Sequence, residues 1–229
     1  MASIPSSGVV SALPIGLEVG PKRRVFAQVI EWPGWCRSGR DEAAAIAAVE
    51  SVMARYRAAV GDLAVPLGSG APAFTIMERV EGSATTDFGG LDRVLASDRR
   101  ALEPGEPERL GAFLDACWAA FDAAFAAIPL SDRETKPPVG RGPDAMREHV
   151  IDTGRLHLSW LLRPIPKPAS TEAAEIQARQ RELLRAAVLV LPLGSPLSSE
   201  RHPGPYAVRR ECWHTLDHAW ELENRFRPS

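Results

Sequence analysis

Hydrophobic positions change their spacing near residue 105, which divides the chain into two parts with different predicted structure. In the first part, β-branched and aromatic runs at 22–31 and 74–80 predict strands, and residues 36–39 are a candidate for a short returning strand. A Trp-Pro-Gly-Trp segment at 32–35 predicts a turn. Asp41 is a candidate helix cap, since apolar residues then recur every three or four positions: Ile46, Val49, Met53, Tyr56 and Val60.

This order of strand, turn, helix and strand predicts a small α/β domain over residues 22–100. The segment before it, residues 1–21, is small, polar and interrupted by glycine and proline. We therefore expect residues 1–21 to form a flexible leader.

The second part, residues 105–229, predicts four amphipathic helices. Pro143 is placed to open the second helix, Ser170 or Thr171 the third, and Pro205 the fourth. The first helix carries the longest apolar stripe: Leu110, Phe113, Leu114, Cys117, Trp118, Phe121, Phe125 and Ile128. Four helices of about 18–22 residues favour a four-helix bundle. The predicted fold class is thus α+β, a C-terminal bundle preceded by a small α/β domain.

Composition narrows the possible partners and location of the protein. The 229 residues include 27 basic and 29 acidic side chains, a net charge of −2, so no basic field favours nucleic acid or an anionic membrane. No apolar run approaches the length of a membrane span, and the first residues do not resemble a signal peptide. Three widely spaced cysteines predict no disulfide framework and favour a reducing, cytoplasmic location.

Three histidines form the main candidate site. His214 and His218 are four residues apart on the fourth predicted helix, so both imidazoles share one face. On the second helix, His149 lies between the apolar positions Met146 and Val150 and therefore borders the bundle interior. Three neutral imidazoles suit a divalent ion, zinc first and nickel or iron next, and leave a coordination position open for chemistry. In the alternative interpretation, all three are ordinary structural histidines without a metal.

Three further residues are candidates for supporting roles. Glu221 follows His218 by three residues, so it can orient a ligand imidazole or act as a general base, or it can simply pair with an arginine one turn later. Asp152 and His157 follow His149 by three and eight residues. They are candidates for the outer shell of a metal site, and the alternative is that both are polar residues without a functional role.

Substrate-binding candidates lie near the same helices. Arg209 and Arg210 come about one turn before His214, where either guanidinium can receive the carboxylate of an anionic ligand. Trp160 is a candidate wall of a small-molecule site, although its helical spacing also suits core packing.

The two histidine-bearing segments carry a resemblance to a known family. REHVIDTGRLHLSWLL (147–162) and YAVRRECWHTLDHAWELENR (206–225) resemble the DinB/YfiT-like superfamily of four-helix bundles. Members place one histidine on the second helix and an HxxxH pair on the fourth, and these typically bind a divalent metal. The resemblance implies His149, His214 and His218 as ligands. It also implies a thiol-dependent transferase or isomerase, since characterised relatives use low-molecular-weight thiols.

The first part is similar to a different family. VFAQVIEWPGWCRSGRDEAAAIAAV (25–49) resembles the HicB-like antitoxin domain, in which a strand, a Pro-Gly turn, a polar strand and an acidic-capped helix follow in order. No helix-turn-helix or ribbon-helix-helix segment accompanies it. The resemblance therefore implies a HicB-like domain without the DNA-binding part.

Two functions are compatible with these patterns. The first is a metal-dependent transferase or hydrolase that activates water or a low-molecular-weight thiol toward a small-molecule substrate. The second is a non-catalytic regulatory protein, in which the HicB-like part recruits a partner and the bundle is a scaffold. A homodimer is compatible with either.

Overall fold

Four strands and seven α-helices form the part of the chain that the computed structural model describes, residues 12–68, 70, 72–197 and 201–226. The strands are β1 (Leu13–Val19), β2 (Val25–Val29), β3 (Cys36–Gly39) and β4 (Phe74–Glu81). The helices are α1 (Glu42–Ser51), α2 (Met53–Val60), α3 (Ala84–Phe88), α4 (Glu106–Ala126), α5 (Pro143–Leu161), α6 (Ala173–Leu189) and α7 (Gly204–Phe226). The predicted mixed α+β class is confirmed.

The four strands form one sheet in the order β3-β2-β1-β4. β1 pairs antiparallel with β2, from Ile15 opposite Val29 to Val19 opposite Val25, and parallel with β4. The chain crosses from β3 at one edge of the sheet to β4 at the other through α1 and α2.

β1 corrects the expectation of a flexible leader over residues 1–21. Residues 13–19 form a central strand of the sheet, and Ile15 and Leu17 are fully buried. Leu13, Ile15, Leu17 and Val19 alternate with polar or small residues, the pattern of a strand with one apolar face. Residues 1–11 lie outside the described part of the chain.

The other predicted elements of the first part are found, with one difference. The predicted strands contain β2, β3 and β4, and Asp41 caps α1 by accepting a hydrogen bond from the backbone N–H of Ala44 at 2.8 Å. The single helix expected beyond Asp41 is divided into α1 and α2 at Val52, whose φ of −98° and ψ of 5° depart from helical geometry.

The four long helices α4–α7, hereafter the bundle, pack in a ring: α4 and α5 each contact both α6 and α7. α5 begins at the predicted Pro143, α7 begins one residue before Pro205, and α6 begins two residues after Thr171. Residues from the sheet, α1, α2 and the bundle form one continuous hydrophobic core. The two predicted domains therefore pack together.

The central strands β1 and β2 are buried on both faces, and one of these faces contacts the bundle helix α7. Alternate residues of β2, beginning with Val25, belong to the main core. Phe26 and Gln28, on the opposite face, contact Trp213 and Arg209 of α7. The Phe26 and Trp213 rings meet edge to face with centroids 5.6 Å apart. Helix α7 thus contacts the sheet on one side and the other bundle helices on another.

A buried ion pair strengthens this contact. Asp98 lies in the segment between β4 and α4, and its carboxylate accepts hydrogen bonds from the Arg209 guanidinium, including one from Nε at 3.1 Å. The same carboxylate accepts the backbone N–H of Leu95 at 2.7 Å. A buried pair with these added hydrogen bonds holds α7 against the sheet at one axial position.

The three cysteines are all buried free thiols. Cys117 and Cys212 belong to the main hydrophobic core, and Cys36 is buried as well. Among the described residues, no helix has both the length and the apolar character needed to cross a membrane.

We expect Asp98→Asn to lower the free energy of unfolding by about 3–5 kcal/mol, because it leaves the buried Arg209 charge without its counterion. Urea unfolding at pH 7 measures the change. The matched control is Asp62→Asn at an exposed position, which should stay within about 0.5 kcal/mol of the native protein. Equal stabilities of the two variants would show that the ion pair does not hold α7 in place.

Candidate metal centre

Two packed helices bring the three predicted ligand histidines together. His149 lies on α5, and His214 and His218 lie one turn apart on α7, which packs against α5. The ring centroids are 4.9 Å apart for His149 and His214, 5.0 Å for His149 and His218, and 4.5 Å for His214 and His218. The rings therefore converge on one point between the helices.

The donor atoms of this three-histidine group are spaced for a single ion. One nitrogen from each ring falls within 4.8 Å of the others, and the group could hold a metal ion. The Nε2 atoms of His149 and His214 are 3.1 Å apart. Nitrogen ligands of a tetrahedral zinc lie about 3.3 Å apart, since each is about 2.0–2.1 Å from the ion.

Burial keeps two of these imidazoles, those of His149 and His214, in the neutral form that binds metal. Burial, with smaller contributions from the charges of Arg141 and His218, lowers the pKa of His149 from 6.5 to about 4. Burial also lowers the pKa of His214 well below its usual value, with the other histidines adding to the effect. At neutral pH, both rings therefore keep a lone pair free for a cation.

Glu221 lies where the sequence suggested an orienting residue. Its Oε2 is 3.2 Å from Nδ1 of His218, so it can accept the Nδ1–H and leave Nε2 as the ligand atom. Its other oxygen, Oε1, accepts a hydrogen bond from Arg225. The two expected roles of Glu221, partner of a ligand imidazole and partner of an arginine, occur together.

A second buried network adjoins the three-histidine group. His157 is 0% exposed, and its Nδ1 lies 2.7 Å from Oε2 of Glu211. Glu211 also accepts a hydrogen bond from the Trp118 indole at 2.9 Å. Burial acts to raise the pKa of Glu211, but the hydrogen bonds from His157 and Trp118 help to outweigh it and the pKa is lowered. Glu211 is therefore an anion held by two donors.

This network fixes the tautomer of His157. Burial lowers the His157 pKa, although Glu211 opposes the shift, so the ring is neutral at pH 7. Because Nδ1 donates to Glu211, Nε2 carries the lone pair, and it has no hydrogen-bond partner among the described residues. The ring centroid lies 6.2 Å from that of His214. His157 thus stands beside the three-histidine group rather than within it.

The remaining candidates occupy different places. Asp152 is exposed on α5; its charge opposes the lowering of the His149 pKa, but it makes no hydrogen bond within the described part of the chain. Arg209, expected to receive a substrate carboxylate, is instead buried and bound to Asp98. Arg210, the neighbouring candidate, has no carboxylate partner within the described part of the chain.

Trp160 lies on α5 eleven positions after His149, roughly 16 Å along the helix. Its ring stacks on His202 and Tyr206, with centroids 4.4 and 5.3 Å away, and lines an open cleft of about 530 Å³. His202 is partly buried in this stack. Trp160 forms a cleft wall, but one separate from the three-histidine group.

Sequence reasoning did not identify Glu211. Its partners, His157 and Trp118, are 54 and 93 positions away in the sequence, so no local spacing links them. The one available signal is that Glu211 precedes His214 by three residues, which places it on a neighbouring face of the helix.

Comparisons of the chain with protein families, curated proteins and solved structures give no match.

We expect the metal-free protein to lose stability as the pH falls from about 6.5 toward 4. The folded-state pKa of His149 is about 4, against 6.5 for the ordinary group, so the unfolded chain binds more protons in this window. Urea midpoints at pH 7 and pH 5, with a chelator present, measure the loss. His149→Gln should reduce this pH dependence, and a midpoint that is unchanged or higher at pH 5 would contradict the burial of neutral imidazoles.

We expect Glu211→Gln to lower the free energy of unfolding by about 1–3 kcal/mol, since the amide can accept from only one of its two buried donors through its single oxygen. Urea unfolding measures the effect. Glu182→Gln on α6, where the side chain is 67% exposed, is the control and should change little. A loss no larger than that of the control would show that the network contributes no stability.

Proposed function

We propose that this protein is a metal-dependent transferase or hydrolase with a three-histidine centre, acting on a small-molecule substrate. The observation that carries the proposal is the convergence of His149, His214 and His218 on one point, with two of the imidazoles held neutral by burial. Exposed helix histidines would not be expected to meet in this way.

The three donor nitrogens fit a borderline divalent ion, zinc first and nickel or iron as alternatives. A set of three protein ligands leaves a further coordination position free for chemistry. When bound, such an ion supplies Lewis acidity, which makes a water or a low-molecular-weight thiol a better nucleophile at neutral pH.

The side chains around the three histidines have separate tasks in this proposal. Glu221 orients the His218 ring so that Nε2 faces the centre, and Arg225 holds the Glu221 carboxylate in turn. Glu211 fixes the neutral His157 ring at the back of the centre. Burial of His214 and His157 excludes water from that side.

The layout of the elements supports the two family assignments that we propose. One histidine on the second bundle helix and an HxxxH pair on the fourth follow the DinB/YfiT-like pattern. The succession of β2, the turn at 32–35, β3 and the capped helix α1 follows the HicB-like pattern. The buried free thiols are compatible with the cytoplasmic location that we propose for the protein.

Calorimetric titration of chelator-treated protein with zinc tests the metal centre. We expect the native protein to bind about one ion per chain, since three imidazoles complete one site. His214→Ala should weaken binding by more than the roughly 10–100-fold that loss of an outer-shell partner causes. The matched control is His202→Ala, outside the three-histidine group, which should bind as the native protein does. Equal stoichiometry and affinity in His214→Ala and the native protein would remove the site.

A further inference from the structure

The partly exposed side chain of Arg210 has two guanidinium nitrogens without hydrogen-bond partners. Its Nε and Nη1 atoms are inaccessible to solvent and make no hydrogen bond with any described residue. Removing the N–H groups of a cation from water without giving them hydrogen-bond partners is destabilising. Arginine remains protonated in proteins, so this cost is not relieved by loss of the proton.

Neighbouring groups do not neutralise Arg210. Arg209 carries the same charge and is itself bound to Asp98. Glu18 is close enough to influence the Arg210 pKa, but its oxygens are occupied by the Thr86 hydroxyl and by two backbone N–H groups of the 92–93 segment. Burial is the largest influence on Arg210 and lowers its pKa.

The Trp213 ring contacts the Arg210 side chain but does not supply a negative charge. The Arg210 Cζ atom lies 5.1 Å from the centroid of the Trp213 ring, within cation–π range. Such a contact fixes the orientation of a guanidinium plane while leaving its N–H groups free to donate. Arg210 is therefore preorganised to bind, and the hydrogen-bonding capacity of its Nε and Nη1 atoms is unused among the described residues.

The unused guanidinium lies on the side of α7 that faces the three-histidine group. Arg210 precedes His214 by four residues, about 6 Å along the helix axis, so the two residues share a face. The Trp213 ring, which the Arg210 guanidinium contacts, lies with its centroid 6.3 Å from that of His214. Neither Arg209 nor Glu18 offers Arg210 a free anionic group.

We propose that Arg210 binds the carboxylate of a small organic anion whose other end reaches the three-histidine group. A planar guanidinium matches the two oxygens of a carboxylate, and an incoming anion would offset the cost of burying Arg210. The substrate or co-substrate class is thus a small carboxylate that carries a thiol or another donor group. Binding of the ligand's thiol or other donor group rests on the proposed metal centre, whereas binding of its carboxylate depends on Arg210 alone.

Two matched probes test the carboxylate subsite in the cobalt-loaded protein: 3-mercaptopropionate and its neutral amide, 3-mercaptopropanamide. Thiolate-to-cobalt absorption reports the binding of each thiol. We expect the native protein to bind the acid about tenfold more tightly than the amide, as a charge-assisted hydrogen bond provides. Arg210→Met should bring the ratio close to one, and Arg210→Lys should give an intermediate ratio, because lysine keeps the charge but lacks the fork.

The control is Arg155→Met, at an exposed position on α5, which should keep the preference of the native protein. Equal affinity of acid and amide in the native protein would overturn the proposal, whether or not the variants fold. An equal loss of preference in Arg155→Met would also overturn it, since a general surface charge would then explain the effect.

A metal-independent measurement separates this proposal from the metal centre. In chelator-treated, ¹⁵N-labelled protein, the Nε–H signal of Arg210 is assigned by its absence in Arg210→Lys and followed during titration with acetate. A saturable shift of the Arg210 signal supports the carboxylate subsite. If neither thiol then produces cobalt absorption, that absence counts against the metal centre alone. If cobalt absorption is absent and the Arg210 signal does not respond to acetate, the carboxylate subsite is rejected as well.

Discussion

The position of helix α7 along its own axis is the constraint on which the candidate site depends. On the sheet side, Arg209 is bound to Asp98 in a buried ion pair. On the bundle side, Glu211 binds His157 and Trp118. A displacement of α7 by one turn, about 5.4 Å, would leave all of these buried polar groups without partners. Polar contacts are far less tolerant of such a displacement than apolar contacts. The same two contacts therefore fix where His214 and His218 lie opposite His149.

The site combines histidines with Arg210, and both kinds of side chain are destabilised when they are buried in the charged form. Neutral imidazoles escape the largest penalty of burial because they give up their proton, as the lowered pKa values of His149 and His214 indicate. Arg210 has no such route and stays charged. A cation at the three histidines would add positive charge to this region, so an anionic ligand would be attracted to both ends. Metal and carboxylate binding are therefore expected to favour one another.

The parts of the fold and the site that could be predicted from the sequence are those determined by local spacing. The HxxxH pair and the apolar neighbours of His149 were sufficient to place three imidazoles on facing sides of two helices. β1 was missed because glycine and proline around it obscured the alternation of its apolar residues. Glu211 could not be identified because its partners are distant in sequence.

Arg209 and Arg210 also show that the sequence alone does not distinguish the roles of two adjacent residues. The two residues are adjacent and chemically identical, and both were candidates for binding an anion. Successive residues of a helix are rotated by about 100° about its axis. Arg209 therefore points toward Asp98, whereas Arg210 lies on the side of the histidines without a carboxylate partner among the described residues. Only the tertiary structure shows which of the two is already paired.

X-ray absorption spectroscopy of the zinc-loaded protein, compared with the His214→Ala variant, tests most directly whether the three histidines hold one ion. Imidazole rings bound to a metal give a characteristic multiple-scattering pattern, and its amplitude reports their number. We expect the amplitude of three rings in the native protein, with a clear loss in the variant. A native spectrum without imidazole scattering, or one that the variant reproduces, would contradict a metal centre formed by α5 and α7.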